Sequence, residues 1–528
     1  MVRISNGRAA VATLAAVALG VSAAGCGGSA NNDREAKGDG TVTIALNGDP
    51  GTLSPMQTLV GTALSVNRFA YASLVAIGAD GQLQPAVAER WSATATSATF
   101  TIRDGVTCQD GSKLTAADVA AEFNYVGDPA NKVPLIGLTV PGGAKATADD
   151  ATRTVTVTAP SPAPFIVQNT ALLPLLCQKD LKDPAALAKA SAATGPYQLS
   201  EAVPGDHYTY VKRAGYAWGP NGATNADMPA KVVFKVITNE TTAANLLLNG
   251  QLQVATILGA DGERLDAAKL KYEGAGTLFG QLLFNEADGR VAADEAVRRA
   301  LVQAVDLKQL ASVATSGHPS DPKHMGELDP APCRDDVVSG NVPPHDAGAA
   351  AAALTAAGWA KDGSGIWAKG GKQLTVGYMY ATSMGPTVAS ASELAAKQWT
   401  DFGAKVSSKA VDPANLMSAL AGGDWDVAWQ PFNVYTPDQL VPFFSGPRPP
   451  QGNNLPGIAN PDYEAGVKQA MATPGTDGCQ QWTKAESALV KRLDVVPFTM
   501  STTRYYGKGV TFQADAGGVI PSTLRIGG

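Results

Sequence analysis

The segment Trp91–Phe123, "WSATATSATFTIRDGVTCQDGSKLTAADVAAEF", holds a strand, a turn and the start of a helix in close succession. Its part "SATFTIRDGV" alternates polar and apolar residues, which predicts a strand with one exposed face. Further on, Thr115 stands three residues before Asp118, a capping-box arrangement that predicts the start of an amphipathic helix. A strand followed at once by a helix fits the α/β class.

The same alternation of strands and helices continues on both sides of this segment. Before and after it, "TVTIALNGDPGTLSP", "TRTVTVTAP" and "KVVFKVI" predict strands, and "TTAANLLLNGQ" predicts a helix that Gly250 ends. A second series begins with one helix over "EAVRRALVQAVDLKQLA" and continues through a hairpin at Gly370–Gly371 to the strand "AKVSSKAV" and the helix "DPANLMSALAGG". Two successive series predict two α/β lobes.

Composition excludes several functional classes. The chain has 528 residues, 45% of them hydrophobic, which suits two or three packed units. A net charge of −6 without clustered Lys and Arg argues against a nucleic-acid surface. Only four His are present, so we expect no metal centre and no cofactor. The metalloprotease, P-loop and nucleophile-elbow motifs are absent from the sequence, and we expect no enzymatic activity.

The N-terminal segment has the organisation of an export signal. Arg3 and Arg8 precede an apolar run from Ala9 to Val21, which is too short to span a bilayer comfortably. The run leads into "SAAGCGG", which resembles a bacterial lipobox. Residues 1–26 are therefore interpreted as a lipoprotein signal with its lipobox, in which Cys26 becomes the lipidated N-terminus of the mature protein. Its alternative is an ordinary secretory signal with an incidental cysteine. Residues 27–40 are small and polar, which predicts a disordered tether.

Four further cysteines, Cys108, Cys177, Cys333 and Cys479, form an even set in a chain expected to be exported. Three pairings of two disulfides are possible. We favour Cys108–Cys177 with Cys333–Cys479, because each bridge then stays within one half of the chain. Buried free thiols are the alternative.

The opening segment resembles a signature of the peptide/nickel type of extracytoplasmic solute-binding proteins of ABC importers, family 5. In that family a Trp and a strand precede an Arg-x-Gly-Val turn, an Asp-Gly pair and a Thr-Ala-x-Asp-Val helix. Here Arg103, Gly105, Asp110, Thr115 and Asp118 are among the matching residues, while Cys108 stands where an aromatic residue is common. "ATGPYQL", "LLFNEADGRVAADEAVRRALVQAVDLKQL", "ALTAAGW" and "DWDVAW" match further family segments in order.

This resemblance implies a two-lobed, periplasmic-binding-protein-like α/β fold of type II, cluster C, with an extra subdomain inserted in lobe I. Hinge crossings are expected near "LFGQLLFN" and "VVPFTMS", where the backbone absorbs lobe closure. The implied division is residues 41–66, 194–279 and 498–528 for lobe I, 67–193 for the inserted subdomain, and 280–497 for lobe II.

An aromatic segment, "GDWDVAWQPFNVYTPDQLVPFF", is the main candidate for ligand contact. Peptide-binding members of the family have an Asp four residues before a Pro, which pairs with the α-amino group of the ligand. Alignment on Pro437 places Asn433 there, and a neutral amide forms weaker bonds to an ammonium than a carboxylate does. A shift of the alignment would change this inference, because Asp438 lies nearby. Trp429, Phe432 and Tyr435 flank Asn433 as either an aromatic ligand wall or lobe II core.

Other candidate contacts are Leu53 and Ser54, in the loop after the first strand, and Asn285, which alternatively caps a helix. The resemblance implies capture of oligopeptides or a similar polar ligand for a permease and ATPase, by a lipid-anchored monomer on the extracytoplasmic face of the cell membrane. An oligosaccharide or other non-peptide ligand, or a sensor role without transport, remains the alternative. No nucleic-acid partner is expected.

Overall fold

The computed structural model describes residues 40–177, 181 and 193–527. The predicted signal peptide, Cys26 and nearly all of the predicted tether lie outside the described residues. The folded unit of the chain begins at Gly40.

Short strands outnumber long ones, and two strands of thirteen and fourteen residues exceed all others described. In the first half of the chain the strands are β1 (Thr41–Leu46), β2 (Val75–Ile77), β3 (Leu83–Pro85), β4 (Ala88–Ala93), β5 (Ser97–Ile102), β6 (Lys145–Asp149), β7 (Thr154–Thr158), β8 (Tyr197–Val203), β9 (His207–Lys212), β10 (Lys231–Val236) and β11 (Val254–Ile257). They are followed by β12 (Lys271–Phe284), β13 (Ala360–Lys361), β14 (Trp367–Lys369), β15 (Lys372–Gln373), β16 (Thr375–Ala381), β17 (Lys405–Val411), β18 (Val427–Trp429), β19 (Val495–Gly507), β20 (Val510–Thr511), β21 (Ala514–Asp515), β22 (Gly518–Val519) and β23 (Arg525–Ile526).

The α-helices within the described residues are α1 (Gly61–Ala70), α2 (Ala116–Gly127), α3 (Ile166–Asn169), α4 (Glu240–Leu248), α5 (Asp261–Ala267), α6 (Glu295–Ala304), α7 (Leu307–Ala314), α8 (Ala347–Ala356), α9 (Pro386–Phe402), α10 (Pro413–Gly422), α11 (Val441–Phe444), α12 (Pro461–Met471) and α13 (Cys479–Lys491).

One ten-stranded sheet runs through the molecule in the order β17-β16-β18-β12-β19-β11-β1-β10-β9-β8. Its pairing is mixed: β1 is parallel to β10, β16 is parallel to β17, and β12 is antiparallel to β19. Four further strands form a separate sheet in the order β4-β5-β7-β6. The predicted α/β architecture is confirmed.

The apolar cores divide the molecule into two lobes on either side of β12 and β19. We use lobe I for the elements packed within residues 41–265 and 505–526, and lobe II for those within 282–498. Phe165 is the exception, because it belongs to the lobe II core, where its ring lies 6.1 Å from that of Trp482. The two-lobed arrangement is confirmed, whereas the residue boundaries inferred from the family resemblance stay a prediction.

Local sequence signals explain most helix starts. The capping box of α2 is confirmed: the Thr115 hydroxyl accepts from the Asp118 N–H, and the Asp118 carboxylate accepts from the Thr115 N–H. The single helix expected over "EAVRRALVQAVDLKQLA" is wrong. It is two helices, α6 and α7, because Asp306 adopts a non-helical conformation and caps α7 by accepting from the Gln309 N–H.

Strands β12 and β19 run from one lobe to the other and pair along almost their whole length, from Lys271 opposite Gly507 to Leu283 opposite Val495. We call them the hinge strands, because the family resemblance implies the hinge in these segments. Their register shifts on both sides of Gly280, which marks a local irregularity in an otherwise continuous ladder. A Cβ at Gly280 would approach the Phe498 ring to 2.5 Å, so this position accepts only glycine without rearrangement.

A buried charge network joins the lobe II ends of the two hinge strands. Arg298 has no exposed side-chain surface and lies 3.0 Å from Asp494, which directly precedes β19, and 3.4 Å from Glu286, which follows β12. Asn460 donates to Asp494 at 2.7 Å. Arg298 therefore ties together residues at the ends of both hinge strands.

Both disulfides have the favoured pairing. Cys108 and Cys177 have Cα atoms 6.2 Å apart, and Cys333 and Cys479 have Cα atoms 5.1 Å apart, within the usual range for a bridge. The prediction of two disulfides with this connectivity is confirmed, and the alternative of free thiols is wrong.

Candidate functional site

The candidate site lies where the loop after β18 meets the hinge strands and lobe I. Strand β18 pairs with β12 from Trp429 opposite Leu282 to Val427 opposite Phe284, so the chain that follows it starts at the hinge. This loop, residues 430–440, contains three of the seven candidate ligand contacts, Phe432, Asn433 and Tyr435. Through Gln439 it also contacts lobe I.

Asn433 holds the loop to the hinge. Its side-chain amide donates to the Leu278 carbonyl oxygen at 3.0 Å and accepts from the Leu278 N–H at 2.8 Å. The residue keeps an exposed surface, yet both polar ends of its side chain are engaged by the backbone of β12. A ligand that bonded this amide would compete with both hinge contacts.

Trp429 belongs to the lobe II core in this structure. It has no exposed surface, its indole N–H donates to the Phe279 carbonyl at 2.9 Å, and its ring packs edge-on against Phe498 at 4.9 Å. Of the two interpretations of Trp429, aromatic ligand wall or lobe II core, the structure has the second, because all three residues of β18 are buried and both faces of this strand pack in lobe II.

Phe432 and Tyr435 keep part of their surface exposed. The Phe432 ring stacks on Phe443 at 4.5 Å between centroids and contacts Phe444 edge-on. Tyr435 borders a narrow gap between the lobes, together with Gln168 and Asn169 of lobe I. Of the predicted aromatic residues, these two are the ones available for contact with a ligand.

The remaining predicted residues are buried. Asn285 has no exposed surface; its amide donates to the carbonyls of Gly423 and Trp425, which is a structural role. Leu53 and Ser54 are buried in the loop after β1. Among the described residues the Ser54 hydroxyl has no hydrogen-bond partner, so this group still has bonding capacity.

Sequence reasoning missed an ion pair beside Tyr435. Arg68 on α1 donates two hydrogen bonds to Asp515, at 2.5 and 2.8 Å, and a third to the Gly518 carbonyl at 3.1 Å. Tyr435 and Tyr505 both interact electrostatically with this pair. Burial raises the pKa of Tyr435, with Asp515 adding to the shift and Arg68 opposing it. The partners are too far apart in sequence for any local pattern to reveal them.

Direct hydrogen bonds also cross between the lobes. Gln439 donates to the Leu138 carbonyl at 3.2 Å, and the Gly475 N–H donates to the Pro164 carbonyl at 2.8 Å. Asp438, beside Gln439, accepts from the Thr436 hydroxyl at 2.5 Å. Burial raises the pKa of Asp438 to about 6, so its charge changes near neutral pH.

The described residues offer neither a cluster of metal ligands nor a helix that could cross a membrane. No group of three or more His, Cys, Asp or Glu side chains in that part of the chain is arranged to hold a metal ion. Across the same residues, none of the helices combines the length and hydropathy that crossing a membrane requires.

A family model and several curated proteins are similar in sequence to this chain. A model described as "Bacterial extracellular solute-binding proteins, family 5 Middle" matches residues 82–449. Protein XP55 of Streptomyces lividans is 28% identical over 354 residues, which cover 64% of this chain and 61% of that protein. The glutathione-binding protein GsiB of Escherichia coli is 28% identical over 223 residues, 40% of this chain and 41% of that protein. Both alignments thus span less than two thirds of the relative.

A solved structure is similar to this chain over nearly its whole length. A substrate-binding protein from Microbacterium hydrocarbonoxydans, crystallised with 4-hydroxybenzoate hydrazide, superposes with a TM-score of 0.67 at 26% identity. The superposition covers 92% of this chain and all of that one. Since the family model spans well over half of the sequence and the two-lobed fold agrees with it, the chain belongs to the bacterial extracellular solute-binding proteins of family 5.

Proposed function

We propose that this chain is the solute-capturing component of an ABC importer, which binds a small polar ligand between its lobes and delivers it to a permease and its ATPase. The observation that carries this proposal is the hinge. Strands β12 and β19 connect two separately packed cores, and the loop that starts from the hinge contacts lobe I. Such an arrangement can bind and release a ligand without changing it chemically.

The physical basis is a population shift. A ligand that touches both lobes binds the closed form more tightly than the open one and so increases its population. The closed shape is then the signal that a permease recognises. Tyr435 and Phe432 from lobe II and the Arg68–Asp515 pair from lobe I are the contacts that we assign to the ligand.

Oligopeptides or compounds of similar polarity are the proposed ligand class. Among the relatives, GsiB is named for glutathione and DppE of Bacillus subtilis for dipeptides. Asp438 supports this choice, because it offers a carboxylate near the lobe boundary that could pair with an ammonium group.

A non-peptide ligand, such as an oligosaccharide, is the second candidate. It is supported by Asn433, which stands where alignment on Pro437 places the amino-binding Asp of peptide-binding members, and whose amide bonds to the backbone of Leu278. An envelope sensor of the same fold, which is not coupled to transport and serves a receptor in place of a permease, is the other alternative. A deletion strain that still takes up the ligand at the parental rate would favour the sensor.

Ligand class is tested by native mass spectrometry of the chain purified from its own host, followed by denaturation to release what it carries. We expect short peptides or another small polar compound at one molecule per chain. The variant Tyr435→Ala should carry less, whereas Tyr272→Ala, a truncation of a 45%-exposed tyrosine on β12, should carry the parental amount. A chain that carries nothing and binds no peptide or sugar from a library would contradict the proposal.

We further propose that Cys26 anchors the chain to the extracytoplasmic face of the cell membrane, as a monomer. Several buried acyl chains, at about 0.8 kcal/mol per CH₂, suffice for firm attachment. Cys26→Ser should move the protein from the membrane fraction to the medium or the soluble fraction. Unchanged fractionation, or a mature N-terminus without acyl mass, would contradict the anchor.

A further inference from the structure

One end of the large sheet, on the lobe I side of the hinge, carries a group of lysines. Strands β1, β10, β11 and β12 begin at this end, and β9 and β19 finish there. Gly40, the first residue of the folded unit, lies at the same end, because its carbonyl accepts from the Lys231 N–H. We call the group the lysine face; it consists of Lys212, Lys231, Lys269, Lys271 and Lys508.

The strand register brings these five side chains into one row. Lys212 ends β9, and Lys231 begins the neighbouring β10. Lys508 directly follows β19, and Lys271 begins β12 opposite the last residue of β19. Lys269 stands two residues before Lys271. Since neighbouring strands are about 4.8 Å apart, the six strands from β12 to β9 spread the row over about 24 Å.

The charges of the lysine face are not balanced locally. The lysine ion pairs among the described residues both lie in lobe II, and none of the five lysines takes part in one. Lys212 and Lys508 donate to backbone carbonyls, which leaves their charge in place. Of the carboxylates nearby, Asp227 and Glu273 are exposed, and Asp266 already has an ion-pair partner. This end is therefore positive, although the whole chain carries a net charge of −6.

Acidic residues stand at the other ends of the same strands. They follow β1, the end of β8, β10 and β11 respectively, as Asp49, Asp206, Glu240 and Asp261. The lysine face and this acidic group thus lie at opposite ends of the lobe I strands. A negatively charged plane would attract the first end and repel the second, so it would orient the lobe.

Exposed apolar surface adjoins the lysine face. Ile526 is 44% exposed on β23, which pairs with β20 two residues after Lys508. Tyr272, next to Lys271, is 45% exposed. Tyrosine and apolar side chains beside lysines are typical of protein surfaces that lie in the interface of a membrane. The composition of this end therefore fits a lipid surface.

We propose that the lysine face binds the anionic phospholipid headgroups of the membrane and so fixes the orientation of lobe I above it. A leaflet rich in anionic lipids has a negative surface potential that attracts lysine side chains within a Debye length. The position of Gly40 agrees with this surface. Only fourteen residues separate it from Cys26, and fourteen extended residues span at most about 50 Å, so an anchor at Cys26 would keep this end near the lipid.

The test uses residues 27–528, which omit the predicted signal and Cys26, so that binding does not depend on a lipid anchor. The probes are vesicles of phosphatidylglycerol and phosphatidylcholine in equal parts, and vesicles of phosphatidylcholine alone. In a flotation assay at about 50 mM NaCl we expect binding to the first vesicles only, and release at about 500 mM NaCl, because salt screens the headgroup charge. Equal binding to both vesicles, or binding that survives the higher salt, would overturn the proposal.

A pair of matched variants tests the placement. Lys269→Gln with Lys271→Gln removes two exposed charges and should weaken binding to the anionic vesicles at least tenfold, since each lysine near the surface contributes about fivefold. Lys405→Gln with Lys409→Gln is the control, because it removes the same charge from exposed positions on β17, in lobe II, and should bind like the parent. Parental binding by the first variant, or equal losses in both, would refute the assignment.

The same variants separate this surface from its alternatives. Self-association of the lipid-free chain that Lys269→Gln with Lys271→Gln abolished would assign the lysine face to a second copy and overturn the proposal; light scattering measures it. Both double variants should carry the parental amount of captured ligand, because the substitutions lie away from the loop between the lobes. Failure to bind vesicles would therefore leave ligand capture untouched, and also the anchor, since the chain tested lacks Cys26.

Discussion

Asn433 shows how one residue can match a family's ligand-binding position and still serve the fold. Its carbonyl oxygen accepts from Leu278 and its NH₂ donates to the same residue, an arrangement that an amide completes in both directions and an ionised carboxylate cannot. The position four residues before Pro437 was predictable from the sequence. The pairing with Leu278 was not, because it depends on β12 lying against the loop.

Asn433→Asp tests this role directly. An ionised carboxylate keeps the bond from the Leu278 N–H but faces the Leu278 carbonyl oxygen without a proton, which should lower the unfolding free energy by about 1–3 kcal/mol at pH 7. The native state disfavours the ionised form, so the native pKa of the new carboxyl is raised and the loss shrinks as the pH falls below it. Urea denaturation at pH 7 and pH 4 measures both effects; a variant as stable as the parent at pH 7 would contradict the role.

Among the elements, the paired strands β12 and β19 carry the hinge. They contain the two segments, "LFGQLLFN" and "VVPFTMS", in which the family resemblance implies hinge crossings, and the hinge itself stays a prediction. The length of their pairing and the register shift at Gly280 have no sequence signature. Similarly, Gly370–Gly371 correctly predicted the β14–β15 hairpin, because glycine at positive φ is a local requirement. The break between α6 and α7 escaped prediction, since their apolar spacing continues across it.

Gly280→Ala should disturb the hinge. The new methyl group would meet Phe498 at 2.5 Å and Thr499 at 2.6 Å, both on the opposing hinge strand, and overpacking of this kind costs about 1–3 kcal/mol. Gly276→Ala is the matched control on the same strand, because its methyl group meets only the flexible end of Met500 at 3.1 Å. Thermal unfolding should separate the two variants by several degrees; equal Tm values would show that the crowding at Gly280 is relieved at no cost.

The charge network at the ends of these strands gives a pH-dependent prediction. Burial raises the pKa of Glu286 from 4.5 to about 8, with Asp494 adding to the shift and Arg298 opposing it. Between these values the native state holds a proton that the unfolded chain has released. The stability contributed by Glu286 is therefore full below pH 4.5 and is lost as the pH rises through about 8.

Glu286→Gln removes this titration while keeping a neutral side chain that can donate to Asp494. The unfolding free energy of the variant minus that of the parent should be larger at pH 9 than at pH 6. Urea denaturation at the two pH values gives the difference in unfolding free energy. A difference that did not change with pH would mean that Glu286 is ionised in the native state throughout this range.

At the scale of the whole molecule, Phe165 connects the two lobes. It is fully buried although it lies in a lobe I segment, because its ring enters the lobe II core beside Trp482. Sequence could predict two lobes from the two α/β series. It could not predict which side chain of one lobe would pack into the other, since that depends on the relative placement of distant segments.

Phe165→Ala should weaken the contact between the lobes and shift the unliganded chain toward a more open form, with a larger radius of gyration by small-angle X-ray scattering. Phe100→Ala is the control: it truncates an equally buried ring inside the lobe I core, beside Phe123, and should cost about 3–5 kcal/mol of stability without changing the radius. An unchanged radius for Phe165→Ala would mean that other contacts alone hold the lobes together.

The pairing of Arg68 with Asp515 has a consequence for biosynthesis. The two residues are 447 positions apart, and β21 and β22, which carry Asp515 and Gly518, become available only after every element of lobe II has been made. The residues of the lobe II core are therefore all present in the chain before β21 and β22, the segment of lobe I that bonds to Arg68 of α1. The first lobe to begin is therefore the last to be completed, and a released chain that ended just before residue 510 would contain every residue of the lobe II core but an incomplete lobe I.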